Sequence, residues 1–320
     1  MNTGRTIFSP RMDFFPLHEF RPCVERYHGH YQRKSFSWGT RFSAWLFQLT
    51  YRESLRDIQV CLRAAEQRLS HRGIRGQVSR NTLAHAHQVR DWRIYADFAQ
   101  VLLPRARELD AHESFGIELD QVVSAWDATV IDLCLSLFPW AKFRRHQGAG
   151  KLHTLLDLRG HIPTIVFITH GKVHEVNLLD RVPLHFGWDF ARLYRIHPSS
   201  AFFVIRAKGN FRFKRLYSQP VDQSEGVPCD PILLLPPFYA KKDYPKKLRR
   251  IRFYDREQNR RLVFLIHPFT LPALTIAKIY PCRWQIEWFF LWIKQHLRIK
   301  AFYGTSENAV KTQIGIALSV

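Results

Sequence analysis

The change of period at Ile117 constrains the fold of this chain more than any other feature. Ahead of it, from about residue 10 to 108, the chain reads as helical. Ser35 to Leu49 is rich in Phe, Trp and Leu, and Ser54-Leu-Arg-Asp opens a helix on a serine able to cap it. Beyond it, IELDQVVSAWDATVIDLCLSL is β-branched and apolar, and KLHTLLDLRGHIPTIVFITHGKVHE offers two extended runs around an Arg-Gly-His-Ile-Pro turn. A helical first part followed by three consecutive strands argues against an all-helical or an all-β chain. At 320 residues and 46% hydrophobic content there is enough apolar surface for one large domain or two modest ones.

The alternation continues. FARLYRIH reads as helix and AFFVIRAKGN as a short buried strand. From about 211 to 269, polar and Pro-rich links separate strand-like pieces such as ILLLPPFYA, LRRIRFYD and RLVFLIHPF, which predicts a β-rich insertion. A long helix is then expected from Leu274 through IAKIYPCRWQIEWFFLWIKQHL, with Pro281 bending it or marking its first turn. Trp284, Trp288 and Leu291 are expected to bury that helix against the sheet. A last helix starts at Ser306, whose Ser-Glu-Asn cluster supplies a cap, and reaches Val320 still apolar, so the native C-terminus is expected beyond it.

Forty-eight Lys and Arg against 27 Asp and Glu leave a formal charge of +21, spread from Arg5 to Lys311. Such a field suits a polyanion, nucleic acid above all, with anionic lipid or an unspecialised basic surface as the plainer alternatives. Within the N-terminal part, SLRDIQVCLRAAEQRL, the link HRGIRGQ and VSRNTLAHAHQVRDW place a helix before a turn and a basic helix after it. This pattern fits a helix-turn-helix offering Ser79 to His87 to DNA, and equally a purely structural hairpin. The five cysteines are widely separated and form no zinc spacing, so free thiols in a reducing cytoplasm are expected. With no run of about 18 apolar residues and no signal-peptide core, neither membrane spanning nor export is expected.

The chemistry concentrates in two places. On a continuous helix, Tyr280, Arg283, Glu287 and Lys294 fall within a sector of roughly 60°, so one face would hold an acid, two bases and a phenol. Spacing alone is equally served by an ordinary i,i+4 Arg–Glu pair. On the first strand, Asp127 shares its face with Thr129 and not with Asp132. Its plainer reading is an acid that ends a strand at a turn.

Tyr-x2-Arg-x3-Glu-x6-Lys resembles the signature of insertion-sequence transposases of family four, and Tyr280, Arg283, Glu287 and Lys294 match it at every position. WDATVIDLCLSLFPWAKFRRHQGAGKLHTLLDLRG and RIKAFYGTSENAVKTQI resemble the segments around the family's first catalytic strand and after its signature. The resemblance implies an α/β fold: a ribonuclease-H-like catalytic core over 113–320 with the insertion at about 211–269, preceded by a helical DNA-binding type of domain over 1–112. It implies Asp127 as the first and Glu287 as the third catalytic, metal-binding acid, with Tyr280, Arg283 and Lys294 handling DNA. It further implies Mg²⁺ or Mn²⁺ as cofactor, and double-stranded DNA (transposon ends and target) as partner of a homo-oligomer in the bacterial cytoplasm, at the nucleoid.

The second acid is expected in an Asp-Arg-Gly-Tyr stretch. Here the chain reads HEVNLLDRVPLHFGWDFARLY, with Gly187-Trp188 where Gly-Tyr belongs, so the expected acid has no counterpart. Asp180 and Asp189 are the nearest substitutes, and imidazole makes His185 a poor ligand for Mg²⁺. A decayed or internally deleted copy, or equally a sequencing or frame error, is therefore expected, and with the former the alternative of a catalytically inactive DNA-binding remnant.

Overall fold

The computed structural model describes residues 16–29, 54–64, 77–109, 117, 119, 122–173, 178, 190, 193–194, 202–207, 213–236, 244–267, 271–296 and 302–319. The fold mixes helices and antiparallel sheet. Among the described residues four helices come first: α1 (Leu17–Arg26), α2 (Leu55–Ala64), α3 (Arg80–Val89) and α4 (Arg93–Leu109). The expected cap of α2 forms, since Ser54 Oγ accepts the Asp57 amide at 3.2 Å and donates to Asp57 Oδ2 at 2.9 Å. Ser79 caps α3 by accepting the Thr82 amide at 3.1 Å. Leu55, Ile58 and Leu62 close on Val78 and Leu83, which leaves Arg80, Asn81, Ala84, His85 and Gln88 exposed along α3. The expected helix over Ser35 to Leu49 lies outside the described residues, as does most of FARLYRIH.

The three expected strands are present as β1 (Ser124–Leu133), β3 (Gln147–Asp157) and β4 (Pro163–His170), joined by a short β2 (Lys142–Arg144). β3 is central, with β1 on one side and β4 on the other, and β2 pairs with its first residues. His161, at φ 56°, makes the expected turn into Pro163. Alternation puts Ala125, Ile131 and Leu133 of β1, Leu152 and Leu156 of β3, and Val166 and Ile168 of β4 on one face. That face is covered by Leu103 of α4 and by two C-terminal helices, α6 (Trp284–His296) and α7 (Glu307–Leu318). Ser306 caps α7 as expected, accepting the Ala309 amide at 3.2 Å.

A second antiparallel sheet has the order β5-β9-β8-β7-β6: β5 (Val204–Arg206), β6 (Lys214–Gln219), β7 (Asp230–Leu234), β8 (Leu248–Asp255) and β9 (Arg260–Ile266). It contains the expected strand pieces and also β5, ahead of residue 211. On one of its faces Ile251, Phe264 and Ile266 pack on Ile276 and Ala277 of α5 (Ala273–Ile279). Adjoining segments thus serve different layers: α5 lies on the second sheet and α6 on the first.

The N-terminal helices are joined to this body through α4, which packs on the first sheet, and through α7. Asn308 accepts the Trp92 amide at 3.1 Å and donates to the carbonyls of His87 and Arg90 at 2.8 and 2.5 Å. Ile316 of α7 packs with Phe20, Ile94, Tyr95 and Phe98. The five cysteines are unpaired. Among the described residues no helix is long and apolar enough to cross a membrane.

Candidate active site

The long helix expected from Leu274 is divided. Pro281 has no amide hydrogen to donate, so α5 stops at Ile279 and a 3₁₀ turn, Tyr280–Arg283, leads into α6. This turn is the joint between the two sheets. At its start the Tyr280 ring rests on Phe264 of β9, centroids 4.7 Å apart, and at its end Arg283 reaches β1.

There Arg283 bridges two carboxylates. Its Nη1 donates to Asp127 Oδ2 at 2.9 Å and its Nη2 to Glu287 Oε1 at 3.0 Å. Arg283 and Asp127 are 156 residues apart in sequence, so the meeting is a product of the fold, whereas the Glu287 contact is the local i,i+4 pair. The other oxygen of Asp127, Oδ1, accepts the Ala128 amide at 2.8 Å. The side chains are 27% exposed for Asp127, 35% for Arg283 and 39% for Glu287, so the cluster sits at the rim of the core, open to solvent.

Asp127 projects from the packed face of β1, between buried Ala125 and Ile131, and is paired across the ladder with Thr154 of β3. Thr154 was not singled out by the sequence. It is fully buried, and its hydroxyl has no hydrogen-bond partner among the described residues. On the opposite face of the strand, Trp126 stacks on His153 at 6.2 Å between centroids. Asp132 is exposed and accepts Gln147 Nε2 at 2.9 Å, away from Asp127 as its register requires.

Of the residues read from the sequence, the fold therefore brings Asp127, Arg283 and Glu287 together. Tyr280 is turned to the second sheet. Lys294 lies seven residues beyond Glu287 on α6, about two turns away. Asp180 and Asp189, the substitutes for the second acid, lie outside the described residues.

One expectation is corrected: Trp284, Trp288 and Leu291 do not bury α6 against the sheet. They are 47%, 69% and 45% exposed, and Ile286, Phe290 and Ile293 occupy the interface instead. The helix is apolar on nearly every side, so composition could not say which stripe turns inward. The burial of Ile286, Phe290 and Ile293 under the first sheet accounts for the rotation, and it is consistent with Arg283 reaching Asp127, a contact invisible in the local sequence.

Two carboxylates supply hard oxygen donors of the kind Mg²⁺ or Mn²⁺ takes, and here a guanidinium lies between them. Among the described residues no group of three His, Cys, Asp or Glu side chains comes together.

Comparison with known proteins bears on the same region. Residues 189–320 match the family model of the transposase DDE domain, a segment that takes in Tyr280, Arg283, Glu287 and Lys294 and begins after Asp127. Residues 3–75 match a domain of unknown function, DUF4372. A protein of Sinorhizobium fredii, y4zB, named as a transposase, is 30% identical over 208 residues, 60% of this chain and 57% of that protein. A protein of Geobacillus stearothermophilus, named as a transposase for insertion sequence element IS5377, is 28% identical over 202 residues, 59% of this chain and 52% of that protein. The chain spans about half the length of the curated relatives it matches. Over these parts of its length the chain is similar to DDE-type transposases of insertion sequences.

Proposed function

We propose that this chain is the transposase of a bacterial insertion sequence of family four, with a ribonuclease-H-like core that binds terminal inverted repeats and catalyses metal-dependent DNA cleavage and strand transfer. The observation that carries the reading is the meeting of Asp127 on β1 with Glu287 on α6 through one guanidinium. Acids from distant segments that converge at a solvent-open rim are what phosphodiester chemistry requires of its metal ligands.

Asp127 and Glu287 are the residues that would hold Mg²⁺ or Mn²⁺. When bound, the metal supplies activation of water or a 3′-hydroxyl and stabilisation of the leaving oxygen. The chain's own side chains do the positioning. Arg283 and Lys294 offer a fork and a point charge to DNA phosphate, and the +21 field draws the duplex in. Tyr280, held by Phe264, fixes where the turn that carries Arg283 leaves the second sheet. The polar face of α3, with Arg80, Asn81 and Gln88, is of a kind that reads base edges. The protein would act as a homo-oligomer on the two transposon ends, in the cytoplasm at the nucleoid.

A second reading, a DNA-binding remnant that does not cut, is favoured by the stretch from Leu178 to Trp188, which lacks the Asp-Arg-Gly-Tyr expected of the second acid. One assay decides between them. On duplex carrying the element's inverted repeats, the first reading gives Mg²⁺-dependent nicking that disappears in Asp127→Asn and Glu287→Gln while the gel shift persists. Binding with no product at any metal concentration establishes the remnant.

A further inference from the structure

Resting on the reading that Asp127 and Glu287 hold a divalent metal, we infer that Arg283 is a built-in competitor of that metal and the switch through which DNA controls its binding. Before DNA arrives, the guanidinium keeps the two carboxylates paired. A duplex phosphate then draws Arg283 away and frees their oxygens.

The hydrogen bonds account for this. Asp127 has no idle oxygen: Oδ2 accepts Arg283 at 2.9 Å and Oδ1 accepts the Ala128 amide at 2.8 Å. Glu287 has Oε1 committed to the same guanidinium at 3.0 Å. The backbone amide is fixed by the β1–β3 ladder, so Arg283 is the partner that yields. A divalent ion entering between the acids meets the guanidinium's positive charge and competes with its two hydrogen bonds.

The guanidinium can leave without opening the core. Its side chain is 35% exposed, at the end of a one-turn 3₁₀ segment rather than within a packed helix. Its fork geometry matches a phosphate as well as it matches carboxylates, and a phosphodiester along a duplex is the partner that the basic surface collects. Arg283 sits on the 3₁₀ turn and Glu287 one turn on, within α6, so the guanidinium can swing toward a phosphate while the Glu287 backbone stays in its helix. Holding the acids together beforehand also limits the mutual repulsion that would splay two carboxylates in the free protein.

Linkage makes this quantitative, because whatever factor DNA adds to metal affinity the metal adds to DNA affinity. The test is Mn²⁺ binding to the full chain, read from the free-ion electron paramagnetic resonance signal, with and without a random-sequence duplex. Wild type is expected to bind Mn²⁺ about tenfold more tightly with duplex present, within the usual range of such couplings. Arg283→Gln is expected to bind it about tenfold more tightly without duplex, and to show no further gain on adding it. Arg283→Lys, which keeps the charge but loses the fork, falls between the two and serves if the glutamine variant does not fold. Arg261→Gln removes the same charge from an exposed position on β9 and is expected to behave as wild type.

Equal affinity in wild type and Arg283→Gln, with Asp127→Asn still abolishing binding, overturns the switch and leaves the metal site standing. An equal shift in Arg261→Gln overturns it too, by reducing the effect to net charge. Mn²⁺ binding that ignores both Asp127→Asn and Glu287→Gln, or that occurs in none of the proteins, overturns the metal reading itself and the switch with it.

Discussion

Arg249 and Asp230 form a buried bidentate pair, 3% and 1% exposed, with Arg249 Nε donating to Oδ1 and Oδ2 at 2.8 and 2.9 Å and Nη2 to Oδ2 at 2.5 Å. The remaining arm, Nη1, donates to the Leu271 carbonyl, just ahead of α5. One side chain thereby joins β7, β8 and the segment that leads through α5 to the Tyr280–Arg283 turn. Arg249→Met leaves the Asp230 carboxylate buried without its counter-charge, for which about 3–5 kcal/mol of lost stability is expected in urea unfolding. Adding Asp230→Leu should recover most of it, since a buried pair is worth little over a well-packed apolar replacement. A double variant as unstable as the single one would show that the Leu271 contact, rather than charge burial, is what matters.

At Gly315 two opposing effects of known size meet. Alanine in a helix interior ordinarily gains about 1 kcal/mol over glycine. A Cβ here, however, would lie 3.0 Å from Tyr95 Cβ and 3.2 Å from the Ala96 amide nitrogen, backbone of α4 that is held by the Asn308 clamp. Overpacking against an element that cannot step aside costs about 1–3 kcal/mol, so Gly315→Ala is expected to lower the unfolding midpoint. A rise in midpoint would mean that α4 and α7 are loosely docked.

The rotation of α6 predicts a contrast between neighbours. Ile286→Ala removes a fully buried side chain and is expected to destabilise by about 2–5 kcal/mol. Trp288→Ser, at a position 69% exposed, should stay within about 0.5 kcal/mol. If the Trp288 variant were the worse of the two, the helix would face the sheet with its other side.

That contrast marks where the sequence stops being informative. Three strands around Asp127 were legible because β-branched alternation is a local signal, and the caps at Ser54 and Ser306 because they need only a few residues. β6 was not, since Lys214–Gln219 is exposed along almost its whole length and carries no apolar face to alternate. The Arg283–Glu287 pair was readable as i,i+4 spacing. Its meeting with Asp127 was suggested by family resemblance alone, because nothing in either segment encodes a partner 156 residues away. Thr154 gave no signal at all, as a threonine in an apolar strand is ordinary until its neighbour across the ladder is known.

The thiols separate by environment. Cys134 is exposed, and hydrogen bonds from the Ser136 side chain and then the Leu137 and Ser136 amides lower its pKa. Cys23 is buried, and burial, followed by the nearby Asp97 charge, pushes its pKa up. Each unit between them changes the thiolate fraction about tenfold. Iodoacetamide at pH 8, followed by peptide mass spectrometry, should therefore label Cys134 first and Cys23 last in the folded protein. Simultaneous labelling would show that α1 is not docked on α4.

Asp127→Asn tests whether the cluster holds the fold together or serves chemistry. Arg283 would keep its Glu287 contact, and the pair it loses involves side chains 27% and 35% exposed, where solvent screening limits an ion pair to below about 1 kcal/mol. The Ala128 amide still finds an acceptor in the asparagine carbonyl. Stability is therefore expected to change by less than about 1 kcal/mol, while any Mg²⁺-dependent cleavage falls by at least about 100-fold through loss of a metal ligand. A variant that cleaves as well as the parent would remove Asp127 from the metal site. One that unfolds outright would show the Asp127–Arg283 contact to be a structural fastening between β1 and the α5–α6 joint.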